Sequence, residues 1–278
     1  MKYIFDKISR ETSKLTTRVY STSFSLGIRL LGRDYRYPVY GIYGFVRFAD
    51  EIVDTFHEYN KTDLFYSFKD ETYKAIDNGI SLNPILNSFQ HVVNEYKIDR
   101  KLIDQFLYSM EMDLTNKDYD RDGFDKYVLG SAEVVGLMCL KIFCDGEEEE
   151  YSRLKPLAMK LGAAYQKINF LRDLKADYQH LGRQYFPETD LENFSDEEKK
   201  KLEKEIDDDF KEGYSGIPEL SRKVRLGVYI SYIYYYSLFR KIRQTPASVI
   251  MNRRIRVPDW KKYWIFLVSY LKFKLRLI

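Results

Sequence analysis

Between Val39 and Phe56 almost every residue is apolar, yet Tyr43, Arg47, Asp50 and Asp54 interrupt the run at helical intervals. At ~100° per residue these four fall on one narrow face of a helix. A helix that is hydrophobic nearly all round is buried, so the charged stripe cannot simply face bulk water. Buried carboxylates pair with cations or bind metal, because leaving them unpartnered is costly. Arg47 can neutralise only one of the two acids. Two aspartates four residues apart on a helix also project side by side, with oxygens placed for a hard cation such as Mg²⁺.

A second stretch repeats the pattern. A long helix is predicted from Leu154 to His180, and along it Gln166, Asn169, Asp173 and Asp177 share one face. Gly162, Ala163, Ala164, Ile168, Phe170 and Leu171 frame that face, and Arg172 lies just beside it. The two helices read as opposite walls of one cavity. Spacing alone does not carry this, since Asp118 and Asp122 stand in the same relation within the polar stretch 116–123, which has no apolar frame. An ordinary salt-bridged helix face accounts for one such pair. Two pairs, each in an apolar helix, favour a shared metal site over that reading.

The rest of the chain supports an all-α fold. Helices are predicted over Ser9–Leu31, Val39–Phe56, Asp63–Asp77, Pro84–Tyr96, Arg100–Leu114, Tyr127–Phe143, Asp196–Lys211 and Val224–Arg243. Arg33–Pro38 and Asn116–Asp125 read as loops, and Glu147–Glu150 as an acidic helix start. The helix at Asp196–Lys211 reads as exposed on most sides, and Gly213–Pro218 as a break. No period-2 alternation long enough for a sheet is present. With only 14 glycines and 7 prolines in 278 residues, tight turns are too few for an all-β protein. The breaks are short and no flexible linker divides the chain, so residues 1–278 are predicted to form one domain, a helical bundle around a central cavity.

Composition excludes other classes. Forty-five basic residues balance 42 acidic ones, for a net charge of +3, which gives no field for nucleic acid. Two cysteines, Cys139 and Cys144, cannot staple a chain of this length and indicate a reducing, cytoplasmic setting. Neither they nor His57, His91 and His180 have zinc-ligand spacing. No signal peptide opens the chain, because charge at Lys2 and Asp6 precedes any apolar core. Near the end, the apolar run Tyr263–Tyr270 is far shorter than the ~20 residues that span a bilayer. Lys261, Lys262, Lys272, Lys274 and Arg276 surround it, so segment 259–278 reads either as a helix packed on the body or as one resting on an anionic membrane surface.

A third element is Tyr20 to Phe24, where the Ser21 and Ser23 hydroxyls can donate to phosphate oxygens, as can Arg47 and Arg172. Taken alone, helix capping is the better reading of these serines.

Together these segments resemble the squalene/phytoene synthase family. The resemblance runs through Tyr20–Phe24, Tyr43–Asp54, Tyr127–Gly136, Gln166–Asp177 and Gly182–Pro187, in the family's order. It is nearest to bacterial phytoene synthases. It implies an isoprenoid-synthase fold and head-to-head condensation of two geranylgeranyl diphosphates to phytoene through a cyclopropyl diphosphate. It also implies that Asp50, Asp54, Asp173 and Asp177 hold Mg²⁺, or Mn²⁺ in its place, with Tyr43 and Arg47 as further catalytic groups. By the same resemblance Ser21, Ser23, Phe24, Tyr127, Val135, Gly136, Gln166, Asn169, Arg172 and Tyr185 bind substrate. Phe24, Ile28, Phe45, Leu137 and Met138 are expected to line the pocket for the tails. Glu133 departs from the family pattern, and the family's late phosphate-binding arginine corresponds to either Arg254 or Arg256.

The alternatives at this point are a squalene or dehydrosqualene synthase using farnesyl diphosphate, with NADPH required only for squalene, and a terpene cyclase or chain-elongating prenyltransferase. A chain-elongating enzyme is disfavoured, since Ala49 and Glu51 flank Asp50 where a tighter aspartate cluster is expected. A helical membrane-surface adaptor is the non-enzyme alternative. Oligomeric state has no signature in the sequence.

Overall fold

The structure is a computed structural model and describes residues 1–115, 118–178, 182–187, 189–191 and 193–276. Among these residues the regular elements are all helices, with one isolated bridge between Asp118 and Gln184. The predicted start of a loop at Asn116 and helix end at His180 lie outside the described residues.

The first predicted helix is two: α1 (Lys2–Tyr20) and α2 (Thr22–Arg29). Ser21 breaks them because its backbone is extended and its hydroxyl caps α2, accepting from the Phe24 N–H at 3.2 Å. The predicted loop Arg33–Pro38 is instead the start of α3 (Arg33–Asp54). Proline usually breaks a helix, but here burial of Tyr35, Pro38 and Val39 outweighs the one lost backbone bond. Helices α4 (Lys61–Asn78), α5 (Pro84–Glu95) and α6 (Arg100–Thr115) follow close to expectation. Asn60 and Asn83 cap the first two, and Gly79 ends α4 in the left-handed conformation at φ 66°.

Helix α7 (Arg121–Val128) starts inside the predicted polar loop, because the Asp120 carboxylate caps it by accepting from the Gly123 N–H at 2.7 Å. A π-helical turn (Leu129–Glu133) then leads into α8 (Val134–Phe143). The wide turn brings backbones unusually close. A methyl group on Gly130 would lie 2.4 Å from the Gln105 carbonyl of α6, and one on Gly162 would lie 2.8 Å from the Ala132 carbonyl.

Helix α9 (Glu148–Ala176) begins on its run of glutamates, as the helix dipole favours. Along it lies α10 (Asp196–Gly216). The expectation of a mostly exposed, short α10 is overturned, since Lys199, Glu203, Ile206, Asp209 and Phe210 are buried. Gly213 lies inside α10, and the helix ends at Gly216, within the predicted break. Both glycines extend the α9 contact by lying against Leu161 and Leu157, where side chains would collide. Helices α11 (Arg222–Arg243), α12 (Ala247–Ile250) and α13 (Asp259–Lys274) complete the chain.

Two groups of buried side chains form the core. One gathers around Phe45, whose ring stacks on Phe89 at a centroid distance of 3.8 Å. The other gathers around Phe170, Phe210 and the tyrosines of α11. A cavity lies among α2, α3, α8, α9 and α11, with residues of both groups in its wall.

Candidate active site

The cavity has a volume of about 330 Å³ and nearly all of its wall is apolar. Phe24 and Ile28 line it, as do Val135 and Gly136. Phe45, Leu137 and Met138 do not, because each points from the far side of its helix into the close-packed core. The polar lining includes Tyr43 from α3 and Gln166 and Asn169 from α9. One turn further along, the same two helices carry Arg47 and Asp50, and Arg172 and Asp173. Another turn brings Asp54 and Asp177. The two aspartate pairs therefore follow the polar neck of an apolar chamber.

Each pair is partly neutralised by arginine. Arg47 donates to Asp50 at 2.5 Å and also pairs with Glu51, while its guanidinium lies 4.3 Å from the centre of the Tyr20 ring. Its Nε is buried with no acceptor among the described residues. Arg172 donates to Asp173 through Nε at 3.0 Å and through Nη2 at 2.5 Å. Arg254 Nε reaches the same carboxylate at 2.6 Å, while the Arg256 carbonyl accepts from Lys241. Of the two late arginines, Arg254 is the one at the aspartates.

Asp54 takes its cation from Arg183, whose Nη1 donates at 2.6 Å. The Arg183 backbone N–H donates to the Asp177 carbonyl at 2.9 Å, tying the end of α9 to this loop. Arg183 Nη2 donates to the carbonyls of Val53 at 3.3 Å and Asp113 at 2.9 Å. The Asp113 carboxylate accepts from the hydroxyl of Tyr127 at 2.5 Å and from those of Tyr119 and Tyr185 at 3.3 Å. Tyr127 and Tyr185 thus face Asp113 and do not line the cavity. Ser23 makes no hydrogen bond among those described and does not line it either, while Ser21 serves as the helix cap and lies within reach of the Tyr43 hydroxyl.

Burial and mutual repulsion dominate the acids. Desolvation, then the charge of Asp54, pushes Asp50 up to about 7 against the pull of Arg47. Asp177 rises to about 7 through desolvation and the charges of Asp173 and Asp54, so the pairs on opposite walls sense each other. Burial and Asp54 likewise lift Asp113 to about 7, opposed by Arg183 and the tyrosine hydroxyls. Side-chain exposures of 34% at Asp50, 31% at Asp54 and 20% at Asp173 show a recess still open to solvent.

This donor set fits a hard divalent cation: four carboxylates on two facing helices, with the Asp54 charge felt by both Asp50 and Asp177. No three acidic, histidine or cysteine side chains among the described residues converge on one point. A cation here would need further ligands from outside the protein, as Mg²⁺ commonly finds in substrate phosphates. The Asp118/Asp122 pair behaves as its context indicates, since Asp122 is exposed and bonded to Lys126 at 2.6 Å.

Sequence reasoning missed Asp113 and Arg183. Asp113 carried the same warning as the first stripe, an acid between Met112 and Leu114 on a helix facing the core. Arg183 stood within the Gly182–Pro187 segment of the resemblance, but no periodicity marked it as a site residue, since a loop delivers it.

Comparison with known proteins places this geometry. The family model described as squalene/phytoene synthase matches residues 17–261. The chain belongs to the squalene/phytoene synthase family, and is an enzyme of prenyltransferase type. It is 26% identical to the phytoene synthase of Arthrospira platensis over 91% of this chain and 90% of that protein. To the 15-cis-phytoene synthase of Synechocystis it is 25% identical over 94% and 84%. Its fold is similar to that of a dehydrosqualene synthase crystallised with a ligand, at a TM-score of 0.82 and 19% identity, covering 97% of this chain and 98% of that one. The squalene synthase HpnC from Alicyclobacillus acidocaldarius superposes at a TM-score of 0.75 and 19% identity, over 87% and 95%.

Proposed function

We propose that the protein condenses two geranylgeranyl diphosphates head to head into phytoene, through a cyclopropyl (prephytoene) diphosphate, in a Mg²⁺-dependent reaction. The observation that carries this reading is the apolar chamber whose polar neck leads to two facing aspartate pairs. Phytoene is preferred to a C30 product because the relatives that are 25–26% identical in sequence over most of the chain are named phytoene synthases, whereas the dehydrosqualene and squalene synthase structures are 19% identical and share the fold.

Asp50, Asp54, Asp173 and Asp177 would hold Mg²⁺, or Mn²⁺ in its place, which when bound neutralises charge on the departing diphosphates. Arg47 and Arg172 present forked donors suited to diphosphate oxygens. Tyr43, Gln166 and Asn169 at the neck orient the reacting carbons toward the chamber. In the first half-reaction the C1–O bond of one substrate breaks, C1 joins the double bond of the other, and a proton leaves. In the second, the remaining C1–O bond breaks, the three-membered ring opens with rearrangement, and a second proton leaves. No hydride is consumed, whereas squalene formation would require NADPH. The apolar walls keep water from the carbocations. Phe24, 5.8 Å from Tyr43 and 5.7 Å from Tyr235 between ring centres, offers them aromatic faces.

We also propose that α13 rests on an anionic membrane surface. Its inner face packs through Ile265 and Ser269, while Trp260, Tyr263, Trp264 and Leu271 are exposed along the other side among lysines. No helix among the described residues is long and apolar enough to cross a membrane.

The reading is tested by incubating the purified protein with C15 and C20 diphosphates, with and without NADPH, and identifying the hydrocarbon. Phytoene from the C20 substrate without NADPH is expected. A C30 hydrocarbon as the sole product would overturn the substrate assignment.

A further inference from the structure

We propose that Asp113 is a positioning residue, whose clamped carboxylate aims the Arg183 guanidinium at Asp54. This rests on the reading of Asp54 as part of the diphosphate site.

Arg183 is only 6% exposed, and its side chain lies between two carboxylates on different helices. Asp54 is 31% exposed at the mouth of the recess, while Asp113, 2% exposed, lies 3.7 Å behind the same Nη1. A buried guanidinium with a single partner is exposed to a large penalty whenever that partner is taken up elsewhere. If Asp54 turns to a divalent cation, Arg183 becomes a buried cation beside another cation. Asp113 in its ionised form supplies a second negative charge that no ligand can reach, and its carbonyl holds Nη2 at 2.9 Å, so Arg183 stays in place while Asp54 changes partner.

Asp113 is itself held rigidly. Its Oδ2 accepts from Tyr127 at 2.5 Å, within the range of a charge-assisted O–H···O⁻ bond, and its Oδ1 accepts from Tyr119 and Tyr185. Those rings are packed together: Tyr185 stacks on Phe170 at 4.1 Å and lies 5.0 Å from Tyr127. Tyr185 also accepts from Arg183 Nη1 at 3.2 Å, closing the ring of bonds. A carboxylate needed only to neutralise Arg183 would not require three aligned hydroxyls. The arrangement fixes direction as well as charge.

The test compares wild type with Asp113→Asn, Arg183→Lys and the double variant, using kcat and KM on the prenyl diphosphate that the wild type turns over. Displacing Arg183 should lower kcat of Asp113→Asn by about 10- to 100-fold, the scale of an ångström-level misplacement. Since both changes act through one contact, the double variant should be no slower than the slower single variant. Independent losses that multiply, or a lowered melting temperature with unchanged kcat, would overturn the proposal. If Asp113→Asn folds poorly, Tyr127→Phe, which removes one donor, should show the same non-additivity with Arg183→Lys. A second readout needs no turnover. The ¹⁵N-bound Nη protons of Arg183 should be resolved in the wild type, where guanidinium rotation is blocked, and should merge in Asp113→Asn; unchanged signals contradict the clamp. A wild type that turns over neither C15 nor C20 diphosphate would defeat the functional reading itself and leave this spectroscopic result standing.

Discussion

The Arg183 guanidinium donates to the Asp54 carboxylate at 2.6 Å across 129 residues of sequence. With its backbone N–H on the Asp177 carbonyl, the same residue links the aspartate pair on α3 to the pair on α9. The two walls are thus joined by one loop residue as well as by the core between them. It follows that the acidic recess can lose one of its carboxylates while the helices that carry it remain in place.

Asp50→Asn or Asp173→Asn is accordingly expected to reduce turnover by at least ~100-fold, the scale of removing one group that stabilises developing charge. The far-ultraviolet circular dichroism should stay that of the wild type. Retained activity in either variant would overturn the assignment of the metal-holding carboxylates.

The late arginines are separable by the same assay. Arg254 pairs with Asp173 and faces the site, whereas the Arg256 backbone carbonyl is bonded to Lys241. Arg254→Ala should raise the KM for the prenyl diphosphate by about tenfold, equivalent to ~1.4 kcal/mol. Arg256→Ala should leave it near the wild-type value. A reversed order of effects would assign the diphosphate contact to Arg256.

Much of this was legible in the sequence, and for a definite reason. Periodicity reports which face of a helix is apolar, so the Asp50/Asp54 and Asp173/Asp177 stripes and the neck residues Tyr43, Gln166 and Asn169 stood out before any tertiary contact was known. Local signals failed where packing overrode them. Pro38 and the glycines at 213 and 216 read as breaks, but the first lies in a buried helical turn and the others let α10 approach α9. Phe45, Leu137 and Met138 were indistinguishable from lining residues because an apolar side chain suits a cavity wall and a core equally well. Arg183 and Arg254 reach the aspartates from segments distant in sequence, a relationship that no local period encodes.

Glu133 gives a prediction in pH. Desolvation in the π-helical turn is the main cause that lifts its carboxyl to about 7 from an ordinary 4.5, despite Lys167 nearby. Between those values the folded chain binds more protons at this site than the unfolded chain, so stability falls as pH rises through the window. Glu133→Gln lacks this loss. Urea unfolding should show the variant equal to wild type near pH 4.5 and more stable by about 2 kcal/mol at pH 8, a figure reduced for partial solvation. An advantage independent of pH would show that burial does not hold this carboxyl neutral.

The exposed face of α13 predicts binding to vesicles containing phosphatidylserine and weaker binding to neutral phosphatidylcholine vesicles. Replacing Trp260 and Trp264 with serine should reduce sedimentation with the anionic vesicles by about tenfold, equivalent to ~1.4 kcal/mol, because binding scales with the apolar area buried in the interface. Equal binding of the variant would remove this face from the membrane account.

The most direct test is isothermal titration with a non-hydrolysable geranylgeranyl diphosphate analogue, with Mg²⁺ and then with the ion chelated. Saturable binding that requires Mg²⁺ and disappears in the Asp50→Asn/Asp173→Asn double variant is predicted. Binding that persists without the metal, or in that variant, would contradict a diphosphate site built on the facing aspartates.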